Sequence, residues 1–199
     1  LCRERVENVR IFREKSSRAQ TKKAAATPQR YGTEIITSST SVLVPKVSSE
    51  RRRYIPLGFI GPETFCSDLV FLIADASVYQ FGVLHSQFHN AWMRTVAGRL
   101  KSDYRYSGGV VYNNFVWPNP TSKQREAIEV CAQAILDTRD SYPDKSLANL
   151  YDPDKMPADL LAAHRALDAA VEAAYGVNFD GDEEKIVAHL FKLYAQATA

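Results

Sequence analysis

The sequence predicts an α+β fold: a small, mostly antiparallel sheet with a long amphipathic helix, followed by an all-α helical cap. Three observations predict it. Short apolar, β-branched runs punctuated by Gly, Pro and Ser fill the chain before Ser77. From Ser77 the apolar period lengthens to three or four residues. Beyond "WPNPTSKQ" every apolar stripe is helical, and that segment is a boundary: two prolines stop a helix or central strand, while Thr121 and Gln124 form a capping-box pattern. Residues 1–118 and 119–199 are therefore expected to be two domains.

In order along the chain, "CRERVENVRIFREKSSRAQTKKAA" has Cys2, Val6, Val9 and Phe12 at helical spacing and should end before Pro28. "TEIIT", "SVLVPKV", "RRRYIPLGFI" and "DLVFLIAD" read as short strands, with Pro45 and Pro56 restricting theirs to edges or bulges. Phe81, Leu84, Phe88, Trp92 and Thr95 or Val96 then mark one helix running to about Leu100. "VVYNNF" is the expected last strand. In the cap, Ile128, Cys131 and Ile135 line one helix. Leu160, His164, Leu167 and Val171 line a second, and Ile186, Leu190 and Tyr194 a third that Asp180 or Asp182 could cap.

Charge divides along the same boundary. Residues 1–118 hold 17 Lys and Arg against 9 Asp and Glu, and residues 119–199 hold 8 against 14. The first part is thus a candidate partner for a polyanion. No apolar run reaches the roughly 20 residues of a membrane span, so no membrane partner is expected. Three widely spaced cysteines without nearby His partners fit reduced thiols in a cytoplasmic protein. The chain opens on Leu1, and a piece of a longer protein is expected.

Catalytic signatures are missing: the sequence has no Gly-rich phosphate loop and no nucleophile elbow. His85 and His89 stand four apart, but no third ligand accompanies them, so packed or surface histidines are expected. His164, on an apolar stripe, reads as a hydrogen-bonded core residue. No catalytic residue, metal or cofactor is assigned to this chain.

Polyanion binding has better support. "SSERRRYIP" concentrates Arg51, Arg52 and Arg53 beside the hydroxyls of Ser48 and Ser49, groups suited to phosphate oxygens. Arg99 is added to that set. As a strand, the run would send Arg51 and Arg53 to one face and Arg52 with Tyr54 to the other. In "GRLKSDYRYSGGVVYNNFVWP", charged side chains alternate with tyrosines. If extended, Lys101, Asp103 and Arg105 point one way and Tyr104 and Tyr106 the other. An ammonium can donate to guanine O6 and N7, and a carboxylate can accept from the cytosine amino group, so the pair suits a G·C edge in the major groove. A surface ion pair is the competing reading.

Several of these stretches resemble a known family. "VSSERRRYIPLGF", "YQFGVLHSQFHNAWMRTVAGRLKSDYRYS" and "VVYNNFVWP" are similar to the target-recognition domain of the MmeI-like (type IIL) restriction–modification enzymes. "SLANLYDPDKMPADLLAAHRALDAAVEAAYG" resembles the helical region that closes those proteins. The resemblance covers nearly the whole chain. It implies a DNA sequence-recognition module of a larger adenine-N6 DNA methyltransferase, fused to an endonuclease in some members. Double-stranded DNA and the upstream methyltransferase domain of the same chain are the implied partners. S-adenosylmethionine is the implied cofactor of the parent protein, held upstream of Leu1. The resemblance further implies that Lys101 and Asp103 read one base pair as G beside the target adenine, and that Arg105, Asp68 and Leu69 read a nearby pair. Leu69 would then contact a thymine methyl. The alternative function is a protein–protein scaffold that docks a methyltransferase or nuclease domain.

Overall fold

A computed structural model describes residues 1–31, 34 and 37–199. The "TEIIT" strand expectation falls largely on residues outside that set. The chain divides into two compact units, Leu1–Ile36 with Glu63–Asp68, and Thr37–Pro62 with Leu69–Ala199.

In the first unit, α1 (Cys2–Glu14) is followed by a short α2 (Ala19–Lys23) and a 3-10 turn, Ala24–Ala26, so the single predicted helix is interrupted at Lys15–Arg18. Arg13 fastens this turn back onto α1. Its guanidinium donates to the carbonyls of Ala24, Thr27 and Arg30 at 2.9, 3.0 and 2.7 Å. No residue of α1 itself is buried.

The second unit carries two antiparallel three-stranded sheets. One has β1 (Ser41–Pro45) between β3 (Gly58–Ile60) and β4 (Val70–Ala74); the other has β6 (Asp103–Arg105) between β2 (Val47–Ser48) and β5 (Gly98–Leu100). Lys46 joins them. Its N–H donates to Leu69 O at 2.9 Å, and its carbonyl accepts Tyr106 N–H at 2.8 Å.

In this unit three further expected elements differ from what forms. Residues 51–57 make a turn and an irregular segment, and only Gly58–Ile60 of that run is strand. Tyr54, Ile55 and Leu57 are all buried, a spacing no alternating strand can give. Side chains satisfy their backbone instead. Asn90 Oδ1 accepts Ile55 N–H at 2.8 Å, and Arg139 Nη1 donates to Leu57 O at 2.8 Å. The predicted long helix is two helices, α3 (Val78–His85) and α4 (Gln87–Val96), separated by Ser86 in extended conformation. "VVYNNF" is no strand: Gly108–Tyr112 forms a π-helical turn, with Asn113 N–H bonded to Gly108 O at 2.9 Å. Asn114 braces it with amide bonds to Gly109 O and Val110 O, and Trp92 Nε1 donates to Val111 O.

The remaining helices are α5 (Ser122–Asp140), a four-residue α6 (Leu147–Leu150), α7 (Ala158–Ala174) and α8 (Glu183–Thr198). Thr121 and Gln124 form the expected reciprocal cap of α5, and the Asp182 carboxylate caps α8. These helices share one core with the sheets and α3–α4. Gly82 leaves no room for a side chain in that core, since a Cβ there would lie 2.9 Å from Ile128 Cγ2 and 3.0 Å from Ala132 Cβ. Among the described residues no helix is long and apolar enough to cross a membrane.

Candidate nucleic-acid interface

β5 and β6 form a hairpin whose two-residue loop is Lys101-Ser102, with Leu100 opposite Asp103. Lys101 has φ +58°, the left-handed region, as the first central residue of the favoured two-residue hairpin turns requires. Glycine is the usual occupant; another side chain there costs about 1 kcal/mol. The hairpin therefore carries Lys101 at a position where folding alone would select glycine. Lys101 thus sits at the turn, rather than in the extended run expected for residues 101–105. Asp103 and Arg105 do alternate on one strand face, half-buried and exposed respectively, while Tyr104 and Tyr106 are buried behind them.

Behind the hairpin the tyrosines are anchored. Tyr106 Oη lies 3.0 Å from His89 Nε2, and burial holds His89 neutral by pushing its pKa down to about 3. Arg105 pairs across β6 with Val47 on one side and Gly98 on the other. Gly98 leaves open space where a side chain would stand.

The arginine run borders a polar cleft of about 360 Å³ with Glu50, Gln87, Arg94 and Glu183 on its walls. A turn shapes it: Arg52 N–H donates to Ser49 O at 3.1 Å, and Ser49 Oγ accepts Arg51 N–H at 3.4 Å. The expected two-face alternation of Arg51–Arg53 is thereby replaced by a turn that exposes Arg51 and Arg53 and half-buries Arg52. Arg51 is bound to Asp154 at 2.6 Å, both side chains mostly exposed. Arg53 donates to Gln87 Oε1 at 3.2 Å. Ser48 departs from the expected phosphate contact: its hydroxyl is enclosed, with the residue 5% exposed, because Ser48 pairs with buried Tyr104. It has no surface to offer a phosphate. Arg99 is already engaged, with its guanidinium 3.9 Å from the centroid of the Tyr104 ring. Asp68 and Leu69 are exposed turn residues just before β4, not strand residues.

A polar cluster lies beneath this surface, and in it His164 is the hydrogen-bonded core histidine that its apolar stripe predicts. Asp168 accepts Tyr54 Oη–H at 2.6 Å and Gln87 N–H at 2.7 Å. Tyr54 stacks on His164, whose Nε2 lies 2.8 Å from Tyr151 Oη, and Tyr151 in turn accepts Arg139 Nε–H at 2.9 Å. Burial holds His85 and His164 neutral, and it raises Asp168 to about 6 despite the two hydrogen bonds. Of its members the sequence marked His164, on its apolar stripe, whereas Asp168, beside Leu167, carried no such mark. Among the described residues no group of three or more His, Cys, Asp or Glu is placed to hold a metal ion.

Residues 1–119 match the family described as MmeI, target recognition domain, and residues 120–199 match MmeI, C-terminal domain. DNA methyltransferase A of Bacillus subtilis (strain 168) is 43% identical over 199 residues, which are 100% of this chain and 22% of that protein. A solved structure of the type IIL restriction–modification enzyme MmeI in complex with DNA is 43% identical, with a TM-score of 0.95 over 99% of this chain and 26% of that one. The chain thus spans about a quarter or less of each relative's length.

Proposed function

The chain belongs to the MmeI family, matching its target recognition and C-terminal domains in turn, and on that premise we propose that it is the DNA sequence-recognition module of a larger adenine-N6 DNA methyltransferase. Residues 1–118 read the duplex, and within the second unit the acidic residues 119–199 share a core with the sheets and α3–α4. The rest of the protein, beyond these 199 residues, supplies the methyltransferase domain, the S-adenosylmethionine that donates the methyl group and, in members that cut, the nuclease. Such a protein works in the cytoplasm, where bacterial DNA lies.

The observation that carries this reading is the exposed Lys101 at the hairpin turn, two residues from Asp103. A cation with three donors and a carboxylate acceptor on one short turn match the two halves of a G·C edge. Arg105, between Val47 and open Gly98, reaches an adjacent pair or phosphate. Asp68 and Leu69, exposed before β4, are the remaining base-reading residues of this proposal. Arg51, Arg52, Arg53 and Ser49 contribute phosphate contacts, and a phosphate would compete with Asp154 for Arg51. A surface pair of that kind is worth only about 0–1 kcal/mol, so it is readily exchanged.

Exchanging Lys101→Glu together with Asp103→Arg in the full-length protein tests the reading. The methylated sequence should change at one position, as read by sequencing modified DNA. An unaltered target would remove the base-reading claim. A duplex affinity indifferent to salt would favour the docking scaffold instead.

A further inference from the structure

We propose that Arg99 is a positioning residue that sets the orientation of Lys101 and Asp103, and not one of the phosphate contacts; this rests on the base-reading role above. Arg99 belongs to the cross-strand row Ser48–Tyr104–Arg99. Neighbouring residues of a strand alternate between faces, so this row lies opposite the face that carries Asp103 and Arg105.

Three contacts occupy its guanidinium. Its Cζ lies over the Tyr104 ring, 3.9 Å from the centroid. Nη1 donates to Ser102 O at 2.8 Å. Glu50 Oε2 stands 3.7 Å from Nη1 and offsets the charge. These contacts engage the face of the guanidinium and Nη1, while the side chain stays 47% exposed, so the salt dependence in the test below decides whether it also meets a phosphate.

The carbonyl it grips is the informative one. Ser102 O belongs to the peptide unit between the turn and Asp103, so fixing that plane fixes the direction in which the Asp103 side chain leaves the backbone. It also restrains Lys101, whose left-handed conformation its own residue type does not favour. Tyr104, 9% exposed, gives the guanidinium a fixed platform. An arginine can stack its face on a ring while donating from its edge; a lysine ammonium cannot do both.

The test uses the full-length protein with Arg99→Lys and Arg99→Gln, alongside the Lys101→Glu/Asp103→Arg exchange. Affinities are measured for duplexes altered at each target position in turn, over a range of salt. Both Arg99 variants should lose about tenfold in discrimination at the hairpin-read pair alone. The other positions should be read as before, and the salt slope should be unchanged. Uniform weakening across all sequences, with a salt slope smaller by about 1, would make Arg99 a phosphate contact and overturn the proposal. Undiminished discrimination beside an exchange that does rewrite the target would overturn positioning and spare the base-reading role. An exchange that leaves the target unaltered would overturn both. Arg99→Lys keeps the charge, so a loss confined to Arg99→Gln would also count against positioning.

Discussion

The carboxylate of Asp168, on α7, accepts the backbone N–H of Gln87, in the first turn of α4, at 2.7 Å. Helix N-termini leave their first amides without intrahelical partners. Ser86, the residue before α4, makes no side-chain cap, as its hydroxyl donates to Val83 O instead. An acid 81 residues away in sequence, on another helix, does that work.

Asp168 should make stability depend on pH. Burial raises its folded pKa from 3.8 to about 6, so between those values the folded chain holds more protons than the unfolded chain. Its contribution is greatest below pH 3.8 and is lost as the pH rises through 6. The buried histidines act oppositely: His85, His89 and His164 are held neutral, and their contribution is lost as the pH falls below about 6.5. Asp168→Asn should remove only the first effect. Urea unfolding of both proteins from pH 4 to 7 should show their stability difference changing by about 3 kcal/mol. A constant difference would contradict a raised Asp168 pKa.

Gly82→Ala should destabilise the fold by about 1–2 kcal/mol, although alanine favours a helix by about 1 kcal/mol. The added methyl would sit 2.9 Å from Ile128 Cγ2 and 3.0 Å from Ala132 Cβ, and neither branched nor β carbon can swing away. A lowered denaturation midpoint at unchanged slope is the signature. An unchanged or higher midpoint would mean that α3 and α5 separate without cost.

Lys101→Gly should stabilise the chain by about 1 kcal/mol, since glycine occupies a left-handed turn position freely. In the full-length protein the same change should cost about 1–3 kcal/mol of discrimination at one base pair. Stability and base reading would then move in opposite directions. A gain or loss in both would break the link between the strained position and its proposed task.

Gly98→Val should leave the fold intact or slightly tighter, because a strand glycine costs about 0.5–1 kcal/mol relative to alanine and a Cβ there meets nothing within 4 Å. The bulk would stand beside Arg105, and duplex affinity should fall. Gel-shift titration checks it; unaltered affinity would place Gly98 away from the DNA.

Much of the fold was legible because it rests on local signals. The Thr121–Gln124 box and the Asp182 cap each depend on residues three apart, and the α5, α7 and α8 stripes each follow one period. What was illegible depends on distant partners. The α3–α4 break needs Asp168, and the irregular 51–57 segment needs Asn90 and Arg139 to satisfy its backbone. The π-helical turn at Gly108–Tyr112 hid behind a β-branched pair, Val110-Val111, that reads as strand. Within the candidate site, the sequence separated the buried tyrosines from the charges of β6. The left-handed turn at Lys101 carried no such mark, because glycine is absent from it, and neither did the enclosure of Ser48.

The β5–β6 hairpin divides its duties between two sets of side chains. Tyr104 and Tyr106 are locked into the interior, whereas Lys101 and Arg105 hang outside it and hold nothing up. A lineage could therefore exchange the outer letters by single mutations without endangering the protein that carries them. If those side chains read bases as proposed, new DNA targets would become reachable in small steps, each passing through a folded ancestor.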